Sequence, residues 1–148
     1  MSYCSWALHD ELNKAYHNTE WGVPLKDDQK QFEFLSLEVM QCGLSWTLVL
    51  KKRAVLQACF DNFDYEKIAA YTEADVERIL SAEGMIRSAA KIRAIIGNAR
   101  QFIKIRSEFG SFPTIYGVIP AAKPFYTTST AKVTSLPATA CPIPSAAI

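Results

Sequence analysis

The sequence lacks any apolar run approaching the roughly 20 residues that cross a membrane, and residues 1–10 lack a signal-peptide pattern. We therefore expect a soluble, cytoplasmic protein that has no membrane partner. The four cysteines are irregularly spaced, which does not indicate a disulfide framework, so we expect them to stay reduced there. They are Cys4, Cys42, Cys59 and Cys141.

An excess of charge of either sign is also missing. The 16 Lys and Arg residues nearly balance the 15 Asp and Glu residues, which gives a formal net charge of +1. Proteins that bind nucleic acids are usually strongly basic, so the charge neither supports nor excludes a nucleic-acid partner.

Acidic residues are absent from residues 111–148, although this segment holds six of the seven prolines. It is rich in Ala, Thr and Ser and has no helical period. Such a segment buries too little apolar surface to offset the entropy of ordering it. We expect one helical domain over residues 1–110 and a poorly ordered tail over 111–148, which resembles a frameshift product or a foreign tail.

Residues before Gly110 carry the capping residues and the apolar spacing of helices, and none alternates long enough to form a strand. The fold class is therefore all-α. In the second helix we expect Lys51, Lys52 and Arg53 to face water. The predicted helices span residues 27–41, 46–60 after Ser45, 64–71, a segment from the Thr72 and Asp75 capping pair to Gly84, and 88–109.

Glu38 lies inside the first long helix, on a side that the sequence makes largely apolar. Placing a carboxylate there is costly unless it has a partner, which is one reason to consider a functional role. The alternative is a carboxylate at the edge of this face that reaches water, and the pattern alone favours it.

Four aromatic side chains, Trp6, Tyr16, Trp21 and Trp46, form a second candidate set. Aromatic faces stack on nucleic-acid bases, and a carboxylate nearby suits a cationic or amino-bearing ring. The alternative is an aromatic core cluster, which is the commoner use of tryptophan.

Cys4 and His17 form a third candidate, because thiolate and imidazole are both zinc ligands. A closed tetrahedral site needs two further ligands, and His9 is the only other histidine. From these residues alone, a buried thiol and a surface histidine are favoured.

The segment 83–87, around Gly84, reads as a tight turn between two helices. Backbone N–H groups of such a helix-hairpin-helix element can hold a DNA phosphate at a helix N-terminus. Arg87, Lys91 and Arg93 would add positive charge. A plain connection between two helices explains the turn equally well.

Together, these blocks resemble the 3-methyladenine DNA glycosylase I family of the helix-hairpin-helix superfamily, over residues 1 to about 112. The matching blocks are Cys4-Ser5-Trp6, Ala15-Tyr16-His17, Glu20-Trp21-Gly22-Val23-Pro24, Leu37-Glu38, Gly43-Leu44-Ser45-Trp46, Leu50-Lys51-Lys52-Arg53 and Ile95-Ile96-Gly97-Asn98-Ala99-Arg100.

The resemblance implies a monomeric DNA glycosylase that acts in base excision repair on alkylated double-stranded DNA. It would hydrolyse the N-glycosidic bond of 3-methyladenine and have no abasic-site lyase step. Alkylation at N3 makes adenine cationic and a good leaving group, so the site would select and position the base rather than supply a strong acid.

The resemblance also implies a role for each candidate residue. Glu38 would accept hydrogen bonds from the extruded base. The other implied roles are stacking by Tyr16 and Trp46, pocket shaping by Trp6 and Trp21, a wedge in the duplex at Leu44 assisted by Gln41, and a phosphate grip at Gly84 and Arg87.

A structural zinc ion is implied as well, held by Cys4, His17, and a later His and Cys. The tail replaces that later part here, so the expected site is incomplete, and Cys141 is the only conceivable third ligand. Two other hypotheses stay open: a truncated DNA-binding remnant without catalytic activity, and a chain that does not fold cooperatively.

Overall fold

A computed structural model describes residues 4–8 and 10–111 of the chain. The chain divides into two compact units, with a boundary after Pro24. The described residues of the first unit are 4–8 and 10–24, and those of the second are 25–111. The sequence predicted one domain over residues 1–110, so this boundary was not foreseen. The prediction for the tail lies outside the described residues, apart from Ser111.

All regular structure in the described residues is helical, which confirms the all-α class for this part of the chain. None of the described helices has the length and apolar character needed to cross a membrane. The helices are α1 (Glu11–Thr19), α2 (Asp28–Gln41), α3 (Trp46–Cys59), α4 (Tyr65–Ala69), α5 (Glu73–Ser81) and α6 (Ala89–Phe109), with 3-10 turns at Ser5–Leu8 and Asp61–Phe63.

The predicted capping residues set where the helices begin. The Asp27 side chain accepts a 2.7 Å hydrogen bond from the Lys30 amide at the start of α2. Ser45 accepts one of 3.2 Å from the Leu48 amide in α3. Thr72 and Asp75 form the capping box of α5. These caps satisfy amides that have no partner within the helix. Since a cap and its amide are close in sequence, the sequence located these helix starts correctly.

Helix α1 was not predicted. The Asp10 side chain caps it by accepting a 2.8 Å hydrogen bond from the Asn13 amide. Its inward side is formed by Asn13 and Tyr16, whereas Leu12 is exposed. An apolar stripe is therefore missing from this helix, and the cap was the one signal that could have revealed it.

The core of the second unit is built on one face of α6. Ile92, Ile95, Ala99 and Phe102 are buried there, as their spacing predicted. The Phe102 ring packs edge-on against Phe32 of α2, with 5.3 Å between ring centroids. Helix α6 therefore supports α2, the helix that carries Glu38.

The interface of α2 and α3 contains a buried charge that the sequence analysis missed. Glu33 is buried and accepts hydrogen bonds of 2.7 Å from Arg53, 2.7 Å from Lys30 and 2.9 Å from Gln57. The prediction that Arg53 faces water is therefore wrong. Arg53 turns inward because its guanidinium neutralises a carboxylate that would be costly to bury alone.

Candidate functional site

Glu38 lies near the C-terminal end of α2, and it is exposed. The buried residues of this helix are Phe32, Glu33, Ser36, Leu37 and Met40, so Glu38 lies outside the apolar face on which the sequence placed it. The alternative, a carboxylate that reaches water, is the correct one for this structure. An exposed carboxylate retains its oxygens as acceptors for a ligand.

The four residues Cys42 to Ser45, here called the α2–α3 loop, form a tight turn after Glu38. Gly43 adopts a φ of 77°, a left-handed conformation that favours glycine. The Gln41 side-chain amide donates to the Leu44 carbonyl at 2.9 Å, and the Leu44 amide donates to the Gln41 carbonyl at 2.6 Å. Gln41 thus holds Leu44, the predicted wedge, through both its backbone and its side chain.

Lys91, in the first turn of α6, reaches the end of α2. Its ammonium group donates to the carbonyl of Met40 at 2.7 Å and to that of Cys42 at 2.6 Å. The ammonium group that was expected to add charge near the Gly84 turn is thus held by two carbonyls at the end of α2. The ammonium group is drawn to carbonyls that have no amide partner at a helix C-terminus.

Trp46 is the first residue of α3 and follows the Ser45 cap. Its side chain is partly buried and packs against the main hydrophobic core. The position next to the α2–α3 loop agrees with the functional interpretation, and the core contact agrees with the structural one.

An aromatic cluster organises the first unit around Trp6. Its ring centroid lies 6.1 Å from that of Tyr16, 5.5 Å from that of Trp21 and 5.4 Å from that of His17. Tyr16 is buried and Trp21 is exposed. The three aromatic residues predicted in this part of the chain are thus in one cluster, with at least one ring reaching the surface.

Cys4 and His17, the two predicted zinc ligands, both lie in the first unit. Cys4 is buried. Cys42 and Cys59 are free thiols, as expected for reduced cysteines. Within residues 4–8 and 10–111, no three His, Cys, Asp or Glu side chains are grouped to hold a metal ion.

The predicted tight turn connects α5 and α6, and Gly84 adopts a φ of 75° there. Lys52 Nζ lies 3.5 Å from where a Cβ of Gly84 would be, so a cation that the sequence did not assign lies beside the turn. Arg87 is exposed. Arg93 instead donates to both carboxylate oxygens of Glu73, at 3.2 Å and 2.7 Å for Oε2 and 3.1 Å for Oε1.

A separate surface cleft of about 390 Å³ lies beside α5 and α6. Of the residues singled out for charge near the Gly84 turn, only Arg93 lines it. Its two arginines are engaged with the protein, since Arg93 pairs with Glu73 and Arg100 donates to the carbonyls of Ala69 and Tyr71. The cleft therefore gives no reason to place the function there.

Comparison with known proteins identifies a family. The methyladenine glycosylase profile matches residues 6–140, which extends beyond residue 112, where the resemblance was expected to end. Over 105 residues the chain is 51% identical to DNA-3-methyladenine glycosylase 1 of Escherichia coli (strain K12), covering 71% of this chain and 56% of that protein. Over 100 residues it is 42% identical to DNA-3-methyladenine glycosylase of Haemophilus influenzae (strain ATCC 51907 / DSM 11121 / KW20 / Rd), covering 68% and 54%.

The solved structures agree. A crystal structure of the Y16F variant of 3-methyladenine DNA glycosylase I in complex with 3-methyladenine matches with a TM-score of 0.75 and 31% identity, over 80% of this chain and 63% of that one. The chain spans little more than half the length of the curated relatives that it matches.

Proposed function

Because this chain belongs to the methyladenine glycosylase family, we propose that it is a monofunctional DNA glycosylase that releases 3-methyladenine from alkylated DNA. The observation that carries the proposal is the 51% identity to the E. coli enzyme over 105 residues. The proposal concerns a chain that spans 56% of that enzyme, so its activity has to be measured directly.

The reaction is a hydrolysis. Water adds to C1′ of the sugar, the bond from C1′ to N9 breaks, and the base leaves with the electron pair while the water loses a proton. Alkylated adenine carries a positive charge, so it leaves without strong acid catalysis. Glu38, exposed on α2, is suited to accept hydrogen bonds from the cationic base and to select it over neutral adenine.

Access to the base requires that the nucleotide leave the stack. Leu44, in the α2–α3 loop, would fill the resulting gap, and Gln41 holds it by the two hydrogen bonds described above. The α5–Gly84–α6 segment would act as a helix-hairpin-helix element and bind the DNA backbone, with Lys52 and Arg87 adding charge.

Stacking on the base is proposed for Trp46 and for Tyr16, with Trp6 and Trp21 shaping the pocket. Support comes from the aromatic cluster around Trp6 and from the position of Trp46 beside the α2–α3 loop. These roles stay predictions, and Trp46→Ala and Trp21→Ala test them by their affinity for free 3-methyladenine.

The experiment that tests the function is release of free base from methylated duplex DNA, measured by chromatography. We expect release by the wild-type chain and a loss of about tenfold or more in rate for Glu38→Gln, because a charged acceptor becomes a neutral one. Glu77→Gln, at another exposed glutamate, is the matched control. Wild-type release no faster than the background would contradict the proposal.

A second candidate is a DNA-binding remnant without catalysis. The relatives that the chain matches are glycosylases, so the comparisons support the enzyme rather than this alternative. Such a remnant predicts duplex binding that weakens with salt, without base release.

The finer properties are proposed with the function. The partner is double-stranded DNA with alkylated bases, and the compartment is therefore the one that holds the DNA, which is the cytoplasm in a cell without a nucleus. The protein is a monomer, which light scattering coupled to gel filtration checks.

Zinc binding by Cys4 and His17 also stays a proposal. The described residues do not supply a complete site, because a closed site needs four ligands. Metal analysis after reduction and incubation with zinc tests it. Near-stoichiometric zinc that is lost in His17→Ala would support the site, and no retained zinc would remove it.

A further inference from the structure

We infer that Lys91 is a positioning residue that fixes the α2–α3 loop, and with it Leu44, relative to the Gly84 turn. The inference rests on the proposed function, since it explains how the distance between the predicted wedge, Leu44, and the predicted DNA-backbone contact, the Gly84 turn, is kept constant. It assigns to Lys91 a role other than binding phosphate.

The first argument is where the two hydrogen bonds lie. The ammonium group of Lys91 donates to the carbonyls of Met40 and Cys42, which are on either side of Gln41. Met40 is in the last turn of α2, and Cys42 is its capping residue. Carbonyls at a helix C-terminus carry partial negative charge, so one cation bridges the end of the helix and the first residue of the loop.

The second argument is that the loop is internally closed. Gln41 and Leu44 are joined by two hydrogen bonds, of 2.9 Å and 2.6 Å. A loop closed in this way moves as a unit, so a contact made at Cys42 is transmitted to Leu44. Lys91 ties this unit to α6, about 50 residues later in the chain.

The third argument is the position of Lys91 itself. It lies in the first turn of α6, directly after the turn that contains Gly84. If the Gly84 turn sets the register of the protein on the DNA backbone, Lys91 sets the depth at which Leu44 enters the duplex. Small displacements of a positioned group have large effects on rate, so loss of this contact should impair opening of the duplex.

A first experiment measures hydrogen exchange at the Leu44 amide without DNA. Lys91→Met keeps the apolar stem and removes the donor, and we expect exchange about tenfold faster at Leu44 and unchanged exchange at Ile95 in α6. Lys91→Arg keeps a cationic donor and should restore slow exchange. Equal exchange at Leu44 in the wild type and in Lys91→Met would overturn the inference whatever the activity.

A second experiment measures duplex opening by the fluorescence of 2-aminopurine placed next to an unpaired site. We expect Lys91→Met to reduce the fluorescence increase about fivefold or more in the wild-type background and to add nothing to Leu44→Ala, because both act through the wedge. Independent, multiplicative effects of the two substitutions would overturn it. The slope of log binding constant against log salt concentration is a second check. A slope smaller by about 1 in Lys91→Met would also overturn the inference, since Lys91 would then contact a phosphate.

The two proposals fail in different ways. If the wild type opens the duplex without releasing base, the enzymatic function is contradicted. Reduced opening by Lys91→Met would then still support the role of Lys91. Base release that is equally fast in Lys91→Met and the wild type, at unchanged Leu44 exchange, would contradict only the role of Lys91.

Discussion

The Glu33 carboxylate of α2 accepts a 2.7 Å hydrogen bond from Nε of Arg53 in α3. Lys30 and Gln57 donate to the same carboxylate. Burial acts to raise the pKa of Glu33, but the hydrogen bonds and charges of Arg53 and Lys30 outweigh it and lower the pKa below its usual value. The helices joined by this network are those on either side of the loop that carries Leu44.

Removal of this carboxylate should destabilise the protein strongly. Glu33→Ala leaves the partly buried guanidinium of Arg53 without this counter-charge, and we expect a loss of about 3 kcal/mol in the free energy of unfolding. Glu38→Ala, at the exposed glutamate of the same helix, should change it by less than about 0.5 kcal/mol. Urea unfolding of both variants measures the difference, and equal losses would contradict a structural role for Glu33.

The stability that Glu33 provides should depend on pH in a defined direction. A carboxyl whose folded pKa is lowered stabilises the fold fully above its unfolded pKa, roughly 4.3, and this stability is lost as the pH falls through the lower, folded pKa. The difference in unfolding free energy between the wild type and Glu33→Ala should therefore be constant from about pH 7 to 5 and shrink below about pH 4. Urea titrations across this range check it, and a difference that grows on acidification would refute it.

The sequence predicted the ends of the helices better than it predicted their buried faces, as Glu33 and Glu38 show. Caps and turns, such as Ser45 and Gly84, depend on residues a few positions apart and were found. The sequence interpretation placed the buried face of α2 on the wrong side of the helix. Successive residues point about 100° apart around a helix, so Glu33 and Glu38 lie on different sides. The burial of Phe32, Leu37 and Met40 shows that a face centred on these residues would have included Glu33.

The contacts of Lys91 were not predictable in the same way. The lysine and the carbonyls of Met40 and Cys42 are 51 and 49 residues apart in sequence. A carbonyl has no sequence signature, and only the packing of α6 against α2 brings it within reach of the ammonium group. The boundary after Pro24 likewise depends on how the elements pack, which residue periodicity does not report.

Tyr71 provides a prediction at alkaline pH. Its hydroxyl donates to the Asp61 carboxylate, and Asp61 opens a turn of three residues with positive φ, Asp61 to Phe63. Burial, followed by the hydrogen bond to Asp61, raises the pKa of Tyr71 to about 12. A raised folded pKa stabilises the fold below the unfolded value, roughly 10, and this stability is lost as the pH rises towards 12.

We expect Tyr71→Phe to cost about 1 kcal/mol of stability at neutral pH, as is usual for a hydrogen bond of this kind. In an absorbance titration at alkaline pH, Tyr71→Phe should have one tyrosine fewer than the wild type among those that ionise near pH 12. A variant as stable as the wild type, with an unchanged late titration, would show that the bond to Asp61 has no role in holding the strained turn.

Gly84→Ala and Gly43→Ala form a matched pair, because the two glycines have nearly the same φ, 75° and 77°. Each substitution should cost roughly 1 to 2 kcal/mol of stability through left-handed strain alone. An added Cβ meets nothing within 4 Å at Gly43 and only ordinary contacts at Gly84, so crowding does not distinguish them.

Their effects on DNA should differ. Gly84→Ala disturbs the turn proposed to bind phosphate, so it should weaken binding to damaged and undamaged duplexes by the same factor. Gly43→Ala disturbs the α2–α3 loop, so it should leave the affinity for undamaged duplex within about twofold and lower base release and duplex opening. Fluorescence anisotropy at two salt concentrations measures the affinity, and the release assay measures base release. Equal changes in affinity and release for both variants would show that the two turns do not have separate roles in binding and opening.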